Sequence, residues 1–154
     1  MTDEMMEEEG EGGVIKKFLY VNRRPPYGTI YAWESLEVVL IGAAFDQDVS
    51  LLFVDDGVFD LKKGQETAGI EMKNFSPTYR ALEMYDVEKI FVCKESLEAR
   101  GLTADDLIID CEVLEPAEVT DLMQLSEHLP QLRQALDDLR ERRGLDFAML
   151  MVTE

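Results

Sequence analysis

The sequence predicts an α/β fold: a mainly parallel sheet of about five strands covered by helices, with one extra helix towards the C-terminus. Three observations predict it. Leu51-Leu52-Phe53-Val54 is an unbroken apolar run that stops at Asp55-Asp56-Gly57. That is the pattern of a central strand, buried on both faces, running into a sharp turn. Short strand-like runs then alternate with helical stretches along the chain, as in parallel sheets joined by crossover helices. Finally, 154 residues with 46% apolar content and no internal repeat suit one domain with a sizeable core.

The elements follow in order. Residues 1–13 contain six acids and no base; such a segment cannot bury enough apolar surface to offset its ordering entropy, and is expected to be a disordered acidic leader. The domain is expected to occupy 14–154. Val14–Val21 reads as the first strand, and Pro25, Pro26 and Gly28 break it into a loop. Thr29 is the expected cap of a helix over Ile30–Phe45. The second half of that helix, Val38 to Phe45, is apolar on all sides. A helix lying on a sheet needs only one apolar stripe, so the surplus points to a subunit contact or unusual depth.

The central strand is expected over roughly 49–55, followed by a loop from Leu61 to Asn74. Ser76-Pro77 starts a helix to about Tyr85. Lys89–Cys93 is a third strand, Ser96–Arg100 a brief helix stopped by Gly101, and Thr103–Asp106 resembles a capping box. Leu107–Val113 is the fourth strand, and a helix begins at Pro116 and runs to about Met123. A further helix is predicted within 124–143, with Leu132, Leu136 and Leu139 on one side. Phe147–Val152 is the last strand.

Charge excludes several partners. Fifteen basic residues against thirty-three acidic ones give a net charge of −18. Nucleic acid and anionic membrane surfaces need clustered Lys and Arg and are not expected partners. No run of eighteen apolar residues is present, no signal segment opens the chain, and two cysteines cannot build a disulfide scaffold, so a soluble cytoplasmic protein is expected.

The chemistry centres on Cys93. It ends a strand and precedes a short helix, so it is expected at the carboxyl edge of the sheet, where such folds place their sites. A helix N-terminus and the adjacent Lys94 favour thiolate, while Glu95 opposes it. An inert, half-buried strand cysteine fits the same residues. Cys111 lies between Asp110 and Glu112, which raise a thiol pKa, so a structural role is expected. His128 falls in another segment, and neither a zinc site nor a Cys–His pair is expected. Asp55 and Asp56 could hold a magnesium ion at a strand end; a turn whose acids bond local backbone is the preferred reading. The Tyr27-Gly28 loop lacks a glycine-rich fingerprint, and no Walker loop or GxSxG is present.

Several stretches together carry a resemblance. Asn22 to Phe59 (NRRPPYGTIYAWESLEVVLIGAAFDQDVSLLFVDDGVF), Lys73 to Arg80 (KNFSPTYR) and Ser96 to Leu102 (SLEARGL) resemble the DsrF/TusC branch of the DsrE/F/H sulfur-relay proteins. The likeness spans roughly 14–123, and the combined pattern is specific. It implies a three-layer α/β/α domain on a mainly parallel sheet. It also implies assembly with DsrE-like and DsrH-like sister subunits into a heterohexamer. Such a complex passes persulfide sulfur to a DsrC/TusE-like acceptor, in sulfur oxidation or in tRNA 2-thiolation, with no metal or organic cofactor. In the DsrE-like sister, the essential cysteine lies eight residues before the glycine of an arginine–glycine pair. Cys93 stands eight residues before Gly101, with Arg100 preceding it. The resemblance therefore makes Cys93 the candidate persulfide carrier; with the three loops expected to meet at one sheet edge, Tyr27, Gly28, Asp56 and Gly57 are the candidate rim of its pocket. DsrF-like chains often dispense with a working cysteine there, which leaves a non-catalytic subunit that shapes acceptor docking as the alternative. The acidic leader and the residues after Met123 depart from the family pattern.

Overall fold

The computed structural model describes residues 15–124 and the strand Phe147–Val152. The expected acidic leader, and the additional helix beyond Gln124, lie outside the described residues. Five strands form one sheet: β1 (Lys17–Asn22), β2 (Asp48–Phe53), β3 (Lys89–Cys93), β4 (Glu112–Leu114) and β5 (Phe147–Val152), in the spatial order β4-β3-β2-β1-β5. β1 to β4 run parallel, and β5 is antiparallel to β1, with Lys17 opposite Val152 and Asn22 opposite Phe147. The apolar run at Leu51–Phe53 is central, as its lack of polar alternation requires.

The two faces of the sheet hold separate apolar clusters. On one face Tyr20, Leu51, Phe53, Ile90 and Val92 meet Leu36 and Val39 of α1 (Tyr31–Ala44) and Leu82 of α2 (Ala81–Met84). On the other face Leu19, Val21, Leu52, Cys93 and Leu114 meet Val119 of α4 (Pro116–Gln124). The period-2 alternation of strand side chains sorts neighbouring residues into these two clusters. Three layers result, and α3 (Lys94–Ala99) leads directly from β3.

Four local expectations are corrected. Thr29 does not cap α1: the cap position is Ile30, which is already helical and receives the Glu34 N–H on its carbonyl at 3.0 Å. The stretch before α2 is a 3₁₀ segment, Ser76–Arg80, rather than α-helix. Its cap position is Phe75, which offers no side-chain bond; in front of it Asn74 Oδ1 accepts from the Ser76 N–H (3.0 Å) and hydroxyl (2.6 Å) in an Asx-type turn. The brief helix after β3 begins at Lys94 and ends in a Schellman turn: Leu102 N–H reaches the Leu97 carbonyl at 2.9 Å, with Gly101 at φ +67°. The fourth strand is shorter than expected. Lys62 and Leu107 form an antiparallel bridge, and the Ile108 N–H donates to the Leu61 carbonyl at 2.7 Å. Pairing with β3 starts only at Glu112. An apolar run signals burial without naming its partner. The capping box at Thr103–Asp106 is present, opening a 3₁₀ turn.

Candidate functional site

Asn22, Phe53 and Val92 stand in register across β1, β2 and β3, so the turns that follow these strands share one edge of the sheet. After β2 the chain enters a 3₁₀ segment, Asp55–Leu61. The Val54 N–H donates to the Asn22 carbonyl at 3.0 Å, joining the first two turns. Gly57 lies so close to that carbonyl that a Cβ would stand 2.1 Å from the oxygen, which explains the glycine. The third turn is fastened by Ser96, whose Oγ accepts from the Asp55 N–H at 2.9 Å. Arg100 Nε donates to Asp56 Oδ1 at 2.9 Å, and its Nη1 to the Ser96 carbonyl at 3.1 Å. Arg23 pairs with Asp55 at 3.2 Å, and Lys94 with Glu115 at 2.7 Å. The acids at 55 and 56 thus face guanidinium groups. Among the described residues no group of three or more His, Cys, Asp or Glu is arranged to hold a metal ion.

Cys93 ends β3 at this same edge, but it is only 7% exposed. Its side chain belongs to the apolar cluster beneath α4, with Leu52, Leu114 and Val119. Lys94, expected to favour a thiolate, is engaged by Glu115, which holds the ammonium pKa above its ordinary value. Cys111 precedes β4 rather than lying inside it; burial first, then Asp110, pushes its thiol up to about 12.

The four rim candidates divide. Asp56 and Gly57 stand at the edge with Cys93. Tyr27 is held on the α1 side of the sheet: its hydroxyl donates to Gln65 Oε1 at 2.5 Å, lies 3.3 Å from Asn74 Oδ1, and its ring meets Phe75 edge-on. Gly28 is exposed, with φ +95° and open space where a Cβ would sit. A cleft of about 560 Å³ lies elsewhere, between Leu82, Val87 and Ile90 and the segment Leu107–Asp110.

Sequence reasoning missed a buried polar group behind the rim. Asp60 is fully buried, and neither carboxylate oxygen has a hydrogen-bond partner; the Tyr79 hydroxyl is likewise buried and unpaired. Burial raises the Asp60 pKa well above the ordinary carboxylate value, and burial followed by the nearby Asp60 raises that of Tyr79. The only signal was an acid inside the apolar run Val58-Phe59-Asp60-Leu61. Asn22 was also overlooked: its Oδ1 accepts from the buried Ser35 hydroxyl at 2.7 Å, tying β1 to α1.

Comparison with known proteins places this architecture. The DsrE/DsrF-like family profile matches residues 16–129. Intracellular sulfur oxidation protein DsrF of Allochromatium vinosum is 58% identical over 128 residues, covering 74% of this chain and 94% of that protein. A TusC homologue of Vibrio parahaemolyticus is 36% identical over 110 residues, covering 71% and 93%. One from Pseudomonas aeruginosa is 37% identical over 109 residues, covering 71% and 92%. The crystal structure of the YchN protein of E. coli shares the fold, with a TM-score of 0.60 at 22% identity over 72% of this chain and 93% of that one. With the profile spanning most of the chain and relatives matched over nearly their whole length, this protein belongs to the DsrE/DsrF-like family, in its DsrF/TusC branch.

Proposed function

We propose that this chain is the DsrF/TusC-type subunit of a cytoplasmic sulfur-relay complex, assembled with DsrE-like and DsrH-like sisters, that passes persulfide sulfur to a DsrC/TusE-like acceptor. Within it the chain contributes structure: it completes the assembly and shapes the surface on which the acceptor docks. One observation carries this division of labour. The Cys93 side chain is 7% exposed, packed under α4 among apolar groups. A relay thiol must meet first a donor persulfide and then an acceptor thiol, and both attacks need access to sulfur.

A second reading, with Cys93 as persulfide carrier, is favoured by its place at the end of β3, where three turns are fastened together. In that chemistry the Cys93 thiolate attacks the outer sulfur of the donor persulfide. The donor S–S bond breaks, its thiolate leaves, and a persulfide forms on Cys93. The acceptor thiolate then takes that outer sulfur and releases the Cys93 thiolate. The exchange has no net redox change and calls on no metal or organic cofactor.

Loading the whole complex from a persulfide donor, alkylating it and mapping persulfides by mass separates the two. The structural reading expects sulfur on a sister subunit, none on Cys93, and full transfer by Cys93→Ser. Sulfur on Cys93, lost together with transfer in Cys93→Ser, would establish the carrier reading instead.

A further inference from the structure

The outward side of α1 remains apolar after the core is built. Leu36, Val39 and Ala43 are buried, while Trp33, Ile41 and Phe45 return to the solvent side at helical spacing. Ile41 is 57% and Phe45 73% exposed. At the same end of the sheet Met84, just before the exit of α2, is 84% exposed, with Tyr85 exposed beside it. These exits are adjacent. They feed β2 and β3, which are joined at their start by the Lys89–Asp48 ion pair at 2.9 Å, and Gln47, Asp48, Tyr85 and Asp86 line one small cleft. Apolar surface gathered in this way marks an interaction site more often than scattered exposure does.

Charge identifies the occupant. From Ile30 to Asp48 the chain carries four acids and no Lys or Arg, and Glu83, Asp86 and Glu88 add three more. Asp46, Glu83, Asp86 and Glu88 are exposed and form no ion pair among the described residues, while Lys89, at the start of β3, is taken by Asp48. Lys16 and Lys17, at the start of β1, lie beside Gln47 and Asp48, and Arg80 lines a cleft with Glu83 and Glu88, so the seven acids outnumber the four bases around this face, Lys89 included. A second copy docked through this face by two-fold symmetry would set acids against acids, on chains of net charge −18. Asp46 adds a further sign. It sits at φ +56° just past the negative end of α1, where glycine or asparagine would suit the fold better.

We propose that this apolar face, centred on Phe45 and Met84, docks a non-identical protein subunit whose own apolar centre is ringed by lysine or arginine. The proposal rests on the assembly reading above and names the surface and chemistry by which assembly occurs. The face lies on the sheet side opposite the Cys93 side chain and at the far edge, so a partner seated there leaves the carboxyl edge open.

The test combines the full-length chain with the DsrE-like and DsrH-like subunits of its own source and follows assembly by sedimentation velocity. Phe45→Glu combined with Met84→Glu is expected to weaken assembly at least about 30-fold, as for loss of a central apolar anchor, with the circular dichroism and melting temperature of the isolated chain retained. Val113→Glu, exposed on β4, serves as the control and is expected to assemble normally. Asp46→Lys with Asp86→Lys is expected to weaken assembly about tenfold at low salt, the loss fading near about 0.5 M salt. If the double glutamate variant assembles like the wild type, this proposal falls while the assembly reading stands. If charge reversal leaves affinity unchanged at low salt, the basic-rimmed partner is refuted. If the wild-type chain alone forms an oligomer that Phe45→Glu dissolves, the occupant is a second copy and the proposal is overturned. A wild-type chain that joins neither sister overturns the assembly reading, and this proposal with it.

Discussion

At the carboxyl edge of the sheet Arg23 faces Asp55, Arg100 faces Asp56, Lys94 faces Glu115, and the cysteine is covered. At the amino edge Phe45 and Met84 stand in solvent beside Asp46 and Asp86, and these two acids form no ion pair among the described residues. The first edge has paired these surface charges within the chain. The second is left incomplete. An edge that has used its charges internally is built to hold shape, whereas one that exposes both apolar surface and like charges is built to be covered.

The largest break in that contrast is Gly57→Ala. A methyl at 57 meets the Asn22 carbonyl oxygen at 2.1 Å and its carbon at 2.6 Å, both backbone atoms. The turns after β1 and β2 must part, at a cost of about 3 kcal/mol, read as a lower urea midpoint at unchanged slope. The next effect is pH-dependent and lies just behind the carboxyl edge. Burial raises the Asp60 pKa in the folded chain well above its ordinary value. The folded state therefore holds a proton that the unfolded chain has released. Stability is full below the ordinary carboxylate range and falls as pH rises towards the folded pKa, by at most about 1.4 kcal/mol per pH unit. Denaturation across pH is expected to show this slope in the wild type and a flatter profile in Asp60→Asn.

A smaller effect tests the ion pairs. A double-mutant cycle on Arg100→Ala and Asp56→Asn is expected to return a coupling of about 0.5–1 kcal/mol, since Arg100 is largely covered while Asp56 is exposed. The smallest effect reverses sign. Asp46→Asn at the amino edge is expected to stabilise the isolated chain by about 0.5 kcal/mol, by removing an acid from the negative end of α1 at a left-handed position. Removing an acid should thus cost stability at one edge and restore it at the other. A loss of stability at both would erase the contrast.

Much of this was legible in the sequence, for identifiable reasons. Leu51–Val54 followed by Asp55-Asp56-Gly57 carried both burial and position, because only a central parallel strand is apolar on both faces. Lys89–Cys93 and the glycine stop at Gly101 were local signals that tertiary context left intact. The unused apolar side of α1 was also visible as surplus along Val38–Phe45. The partner of Leu107-Ile108 was not legible, since an apolar run does not say whether β3 or the chain at Leu61–Lys63 will bond it. Nor was the side of the sheet that Tyr27 joins, which depends on Gln65 and Asn74, 38 and 47 residues away. The candidate site suffered most: adjacency suggested that Lys94 would serve Cys93, whereas Cys93 ends β3 packed among apolar groups and Lys94, the first residue of α3, is taken by Glu115.

The brevity of β4 has a consequence of its own. A bare outer strand is a template on which a foreign strand can add, and its length sets how many backbone bonds an intruder gains. Here the strand offers three residues, with Glu112 in solvent, before the chain turns into α4. Sheet extension and amyloid-like stacking find little purchase on that flank.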